Sequence, residues 1–246
     1  LSIPKGAMRI LLGVSGSGKS VILKLVLGLI RPDAGEVRLN GERVDTMTEA
    51  ELLRLRKGVG MVFQENALFD SLTVAENVGF GLTDRDDGTA EEVRARVDEV
   101  LGFVGLGEYG ERLPSELSGG QRRRVAIARA MAPRPDLLLF DDPITGLDPL
   151  IATTIDGEIV KLRDLERVTS LVVTHQIRDA FYIATHQAVR HDGRVLIAAA
   201  APGQPPLADF MLLRDGRIQF TGTAEELLAS EDPYVKEYLV NTLPPW

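Results

Sequence analysis

The chain has 246 residues, 44% hydrophobic and 26% charged, enough for one large domain or two intimate subdomains around a sizeable core. Its net charge of −8, from 28 basic and 36 acidic side chains, makes it a poor non-specific binder of nucleic acid or anionic lipid. It holds no cysteine and only three histidines, which excludes disulfide and thiolate chemistry and argues against a structural zinc site.

Taken in chain order, residues 7–13 (AMRILLG) predict a short buried strand ending at a glycine, and residues 21–30 (VILKLVLGLI) a buried helix behind it. Residues 36–44 alternate about Asn40 and Gly41, a pair that accepts the positive φ of a type I′ turn, and predict a hairpin. Residues 58–63 predict another buried strand. From about 65 to 133 the pattern is helical. There Thr89 and Glu92 form a T-x-x-E capping box, and Val93, Val97, Val100, Leu101 and Val104 form one apolar face. Continuous apolar runs return at 136–140 and 170–174, and such runs suit parallel strands covered on both faces. Residues 191–197 (HDGRVLI) and 214–220 (RDGRIQF) predict two independent hairpins around Asp-Gly turns, with a loop at 198–206 between them. A last T-x-x-E box, Thr223 and Glu226, opens a terminal helix. The whole reads as an α/β core interrupted by a helical insertion and then resumed. No apolar run reaches the roughly 18–20 residues that a bilayer span needs, and no signal peptide is visible.

Residues 13–20 (GVSGSGKS) match G-x-x-x-x-G-K-[ST], between an expected strand and an expected helix. Gly13, Val14, Ser15, Gly16, Ser17 and Gly18 would turn backbone N–H groups around phosphate oxygens, and the helix start at Lys19, Ser20 and Val21 adds its positive dipole end. Lys19 would reach the β- and γ-phosphates, and Ser20 would offer a hydroxyl to Mg²⁺. The run LLLFD (137–141) carries Asp141 to the end of an apolar strand, where ligands sit in α/β sheets, so Asp141 is expected to hold Mg²⁺ through water. LSGGQ, formed by Leu117, Ser118, Gly119, Gly120 and Gln121, is a second anion-binding helix start: Ser118 caps the helix and the glycines bare its N–H groups. Two subunits facing head-to-tail would use both anion sites. The basic run 122–124 is expected to be a solvated helix face rather than a nucleic-acid patch, and His186 and His191 to be structural or surface residues.

The P-loop, Gln64, LSGGQ, LLLFDD, TGLD and His175, in this order, resemble the motifs of ATP-binding-cassette (ABC) ATPases over essentially the whole chain. The resemblance implies an α/β P-loop NTPase fold with a RecA-like parallel-sheet core, antiparallel hairpins and an inserted α-helical subdomain. It divides a single domain, 1–246, into a core of 1–64 and 134–246 and a helical signature subdomain of 65–133, with an extra hairpin or loop at 190–213. It implies ATP and Mg²⁺ as ligands. Gln64 resembles the Q-loop residue that touches Mg²⁺ and senses a membrane partner. Ser118, Gly119 and Gly120 would contact the γ-phosphate bound by the other subunit, Asp148 would cross the dimer interface, and His175 would bond the γ-phosphate. Asp142 stands where the family usually has the glutamate that polarises the attacking water. Acidity is not the difference, since the two side chains have ordinary pKa values of about 3.9 and 4.3. Reach is: the missing C–C bond withdraws the carboxylate by up to about 1.5 Å. Asp142 is therefore expected to be a working but slow base. The family's adenine-stacking aromatic has no counterpart among residues 1–12.

Stretches 63–82, 113–121 and 141–149 further resemble the ATPase of Mce-type lipid transporters. That likeness implies a homodimer on the cytoplasmic face of the inner membrane, bound to an integral permease, with Mce-domain proteins carrying phospholipid beyond it and no nucleic-acid partner. Leu68, Phe69 and Leu72 are expected either to receive a permease helix or to pack the helical region's own core. The competing readings are an ATP-gated dimerising protein that hydrolyses too slowly to cycle, an importer ATPase for another solute, and a soluble cassette acting on DNA or ribosomes.

Overall fold

The structure, a computed structural model, describes residues 1–82, 89–201 and 204–243. In chain order its elements are β1 (Met8–Leu12), α1 (Lys19–Val26), β2 (Arg38–Leu39), β3 (Glu42–Arg43), α2 (Glu49–Arg56), β4 (Val59–Val62), α3 (Val74–Gly79), α4 (Ala90–Phe103) and α5 (Gly119–Met131). There follow β5 (Leu137–Asp141), α6 (Pro149–Lys161), β6 (Thr169–Thr174), α7 (Ile177–Thr185), β7 (His186–His191), β8 (Arg194–Ala199), β9 (Asp209–Arg214), β10 (Arg217–Gly222), α8 (Ala224–Leu228) and α9 (Pro233–Thr242). The residues form two compact units, 1–19 with 142–246, and 20–141.

In the first unit β1 runs parallel to β6 on one side and to β9 on the other, and β10 returns antiparallel to β9. Ile10, Leu11 and Leu12 are fully buried, as are Leu171, Val172 and Val173, the expectation for strands covered on both faces. The registers pair Leu12 with Thr174 and with Leu212, so three strands end at one edge. In the second unit β4 and β5 are parallel, Val62 opposite Phe140. Helices α3, α4 and α5 fill the expected helical stretch 65–133, of which 83–88 lie outside the described residues. The two units draw other boundaries than the expected 1–64, 65–133 and 134–246, because β4 and β5 pair with each other in the second unit and α2 and α5 pack on β4 there.

Local chemistry ends these elements as the sequence foretells. Thr89 accepts from Glu92 N at 3.2 Å while Glu92 accepts from Thr89 N at 2.8 Å, and Thr48, Thr73 and Thr223 close the same box with Glu51, Glu76 and Glu226. Asn40-Gly41, Asp192-Gly193 and Asp215-Gly216 all take the paired left-handed backbone of a type I′ turn. Helix α1 departs from expectation, because it stops at Val26 rather than reaching 30. Gly28 adopts φ 63°, donates to Leu25 O, and lets Leu29 N close on Lys24 O at 2.9 Å, a Schellman end that leaves Leu29 and Ile30 exposed. The extra hairpin also differs: β7 and β8 begin it at His186, while residues 209–213 belong to β9 beside β1. Of the expected 198–206 loop, residues 202 and 203 lie outside the described residues. His186 stacks on Tyr182 with centroids 3.9 Å apart, and His191 is exposed.

Helices α6 and α7 meet around two carboxyls that sequence patterning did not reveal. Asp156 is 1% exposed and Asp179 5%, and desolvation first, then the neighbouring Asp179, holds Asp156 protonated up to about 9. Neither Asp156 oxygen has a hydrogen-bond partner, and the nearby Arg178 opposes the rise of its pKa. A folded-state pKa raised above the unfolded value contributes stability that is full at acid pH and is lost as pH climbs toward 9. Asp156→Asn keeps the shape of the side chain and removes the titration. It is expected to flatten the fall of Tm between about pH 4 and 9 and to raise Tm at pH 8 by about 4–8 °C, on the order of 2 kcal/mol, as read by calorimetry across pH.

Candidate nucleotide site

The P-loop leaves β1 at Gly13. A Cβ there would meet Leu213 O at 2.8 Å and Ser17 Oγ at 2.7 Å, so only glycine lets the chain turn against β9. Gly16 and Gly18 take positive φ, and Lys19, 7% exposed, folds back to donate to Gly13 O at 2.8 Å and Val14 O at 3.1 Å. The β9–β10 turn supports the loop, Gly216 N donating to Ser17 O at 3.3 Å. Tyr238 of α9 brings its buried phenol to the Gly13 backbone, and burial holds that phenol above the ordinary tyrosine range. Residue spacing gave no sign of these supports, since Leu213, Gly216 and Tyr238 lie some 200 residues further along the chain.

Beside the loop, Asp142 N donates to Val173 O of β6 at 2.8 Å. Asp142 then turns into the left-handed region at φ 44°, a conformation that Asp tolerates better than most residues. Its Oδ1 accepts from His175 N at 3.2 Å and faces His175 Nδ1 at 2.8 Å. A carboxylate only accepts, so Nδ1 carries the proton and Nε2 is left to act elsewhere. The expected acid and the expected switch histidine are thus one pair. Asp148 caps α6, accepting from Leu150 N at 2.9 Å, and leaves the Leu150 side chain 78% exposed.

In the second unit Ser20 Oγ lies 3.5 Å from Asp141 Oδ1, where the P-loop helix meets the end of β5. One hydroxyl and one carboxylate are hard oxygen donors of the number Mg²⁺ takes from protein when phosphate and water complete its shell. Gln64 follows β4 by two residues, at the same edge as Asp141 by the Val62–Phe140 register. Ser118 caps α5 as expected: Gln121 N donates to its Oγ at 3.3 Å and Ser118 N donates to Gln121 Oε1 at 2.8 Å. The arginines of 122–124 overturn the expected solvated face. Arg122 donates to Leu117 O at 2.5 Å and Arg124 to Val104 O at 3.0 Å. Arg123, 2% exposed, donates to Phe63 O and to Gln64 O, the latter at 2.5 Å. Each guanidinium is committed to a backbone carbonyl, so the three are structural cations rather than a solvated or nucleic-acid surface. Phe69 stays exposed, its ring 4.6 Å from exposed Phe80, while Asn77 fixes its backbone through bonds to Phe69 N and O.

A P-loop, an acid–histidine pair and a capped glycine helix on one chain are the features of a P-loop cassette of the ABC class. The ABC transporter family model matches residues 1–145, more than half of the chain, and the chain belongs to that family. The sulfate/thiosulfate import ATP-binding protein CysA of Mycobacterium tuberculosis is 42% identical over 193 residues, 78% of this chain and 53% of that relative. The glycine betaine/carnitine transport ATP-binding protein GbuA of Listeria monocytogenes is 34% identical over 240 residues, 97% of this chain and 54% of that one. The chain spans about half the length of the curated relatives it matches. A dimeric ATP-binding cassette solved in a post-hydrolysis state with ADP and Pi superposes with TM-score 0.73 at 31% identity, covering 91% of this chain and 88% of that one. A Clostridium perfringens cassette, part of the ABC transporter complex cbiONQ, gives 0.77 at 25% identity, covering 98% and 86%. The fold is that of the α/β ABC cassette, and none of these relatives carries a lipid or Mce name.

Because a methyl group at residue 13 would strike Leu213 O, Gly13→Ala is expected to push the loop off β9. ATP affinity should fall at least about tenfold, ~1.4 kcal/mol, in a fluorescent-nucleotide titration.

Proposed function

We propose that this chain is the ATP-hydrolysing part of an ABC transporter, two copies closing head-to-tail on ATP and Mg²⁺ to drive an integral membrane permease. The observation that carries the proposal is the Asp142–His175 pair at the strand edge where the P-loop begins. The P-loop N–H groups receive the phosphates, and Lys19 exchanges its two carbonyl partners for phosphate oxygens. Ser20, Asp141 and Gln64 are the residues that would hold Mg²⁺, which would supply charge neutralisation of the γ-phosphate. Asp142 takes the proton of the attacking water, and His175, held through Nδ1, presents Nε2 toward the γ-phosphate. Ser118, Gly119 and Gly120 face the nucleotide of the other copy across an interface entered by Asp148. Left-handed backbone at Asp142 and the two bonds from His175 set where the shorter carboxylate sits.

Among the described residues no helix is long and apolar enough to cross a membrane. On the resemblance to ABC transporter ATPases, we place this chain peripherally on the cytoplasmic face of the inner membrane, against an integral permease. The exposed Phe69–Phe80 pair beside a groove of about 720 Å³, lined in part by Leu72, Ala75, Val93 and Val97, is the docking place we favour for a permease helix. For cargo, the relatives name sulfate or thiosulfate in one case and betaine or carnitine in another, at comparable similarity, so resemblance in this module does not follow the cargo. We assign phospholipid, with Mce-domain partners, on the resemblance of stretches 63–82, 113–121 and 141–149. Import of a small charged solute is the second reading, favoured by the relatives' names.

Asp142→Asn, which shares the tolerance for left-handed backbone, is expected to bind ATP as the native chain does and to lose turnover at least about 100-fold in a phosphate-release assay. Equal turnover would remove Asp142 as the base, and slow, equal rates even with the permease present would favour the ATP-gated reading. Phe69→Asp is expected to cost at least about 2 kcal/mol, roughly 30-fold, in permease binding while ATP affinity holds. Mass spectrometry of the native complex then separates the cargo readings, an Mce-domain protein against a solute-binding protein.

A further inference from the structure

Helix α5 begins at the LSGGQ cap and carries Arg123 in its second turn. Arg123 is almost wholly enclosed, its Nε has no partner, and among the described residues no carboxylate bonds to it. Desolvation alone lowers its pKa to about 10. Burying an uncompensated guanidinium is costly, and what offsets it here is a fork of charge-assisted bonds to two successive carbonyls, Phe63 O and Gln64 O. A neutral donor could satisfy either carbonyl, whereas a planar fork fixes the peptide between them in orientation as well as in place. Two turns further on, Arg129 repeats the arrangement, donating to Ala67 O at 2.7 Å and Asn66 O at 3.0 Å. Asn66 and Ala67 both hold left-handed backbone, so this short segment is kept in a shape that its own preferences resist.

We infer that Arg123 is a positioning residue for Gln64: its fork hangs the Gln64 segment on α5, so that a displacement at the Ser118 cap re-aims Gln64. This deepens the transport-ATPase reading and rests on it for the role of Gln64. The mechanical link itself stands on the four carbonyl bonds alone.

The test compares Arg123→Gln and Arg123→Lys with the native chain in four measurements: thermal unfolding, ATP affinity, turnover against free Mg²⁺, and hydrogen exchange of amides 63–69. Lysine keeps the charge without the fork. Both variants are expected to keep ATP affinity within about threefold while kcat falls at least about tenfold, the Mg²⁺ concentration for half-maximal turnover rises, and exchange quickens in 63–69 but not in β4. Rescue by lysine would overturn the fork. So would unchanged turnover and Mg²⁺ dependence, or a loss of ATP affinity in step with Tm at constant Mg²⁺ dependence, which marks a purely structural cation. If the native chain hydrolyses no MgATP, the transport reading fails instead, and exchange alone decides: unaltered protection of 63–69 in both variants would overturn the link.

Discussion

The phosphate end of the first unit depends on β1. It is hydrogen-bonded to a parallel neighbour on each side and buried on both faces, so it can neither slide nor rotate without breaking two ladders. The register Leu12–Thr174 makes the next residue of each strand, Gly13 and His175, emerge side by side, and the register Leu12–Leu212 sets Leu213 under Gly13. The apolar strands contribute no chemistry. They fix the starting points of short polar segments, and the precision of the site is inherited from the sheet.

Within each unit the chain spends its conformational strain selectively. Asp142, Asn66 and Ala67 hold left-handed backbone next to groups assigned to chemistry, and each is restrained by specific bonds: Asp142 by His175 and by Val173 O, Asn66 and Ala67 by Arg129. The other non-glycine residues of this kind include Asn40, Asp192 and Asp215, which sit in hairpin turns that ask only for a tolerant side chain.

Much of this was legible in the sequence because it is local. Strand runs, capping boxes, Asp-Gly turns and the P-loop each announce themselves within ten residues, and the structure places them within a residue or two. What was not legible depends on distant partners. Residues 122–124 look like a charged helix face, and only the closeness of α5 to residues 63–67 turns Arg123 inward. Asp156 and Asp179 look like ordinary surface acids, and become a buried pair with raised pKa values only where α6 meets α7. The overrun of α1 has a different cause: hydrophobicity continues to Ile30, but backbone geometry at Gly28 ends the helix first. Cargo was not legible from either direction, because nothing in an ATPase module need touch it.

The capping boxes carry one last consequence. Among the described residues four helices begin with a threonine whose box is closed by glutamate, whereas Ser118 is answered by the uncharged Gln121. A carboxylate serves well where a helix start faces water, since it both caps and complements the dipole. At α5, the helix start that we propose receives a partner's phosphate, a carboxylate would occupy the positive potential that the incoming anion needs. The amide keeps the geometry of the cap and leaves that potential unspent, so a single uncharged atom group distinguishes a helix that merely starts from one that waits for a ligand.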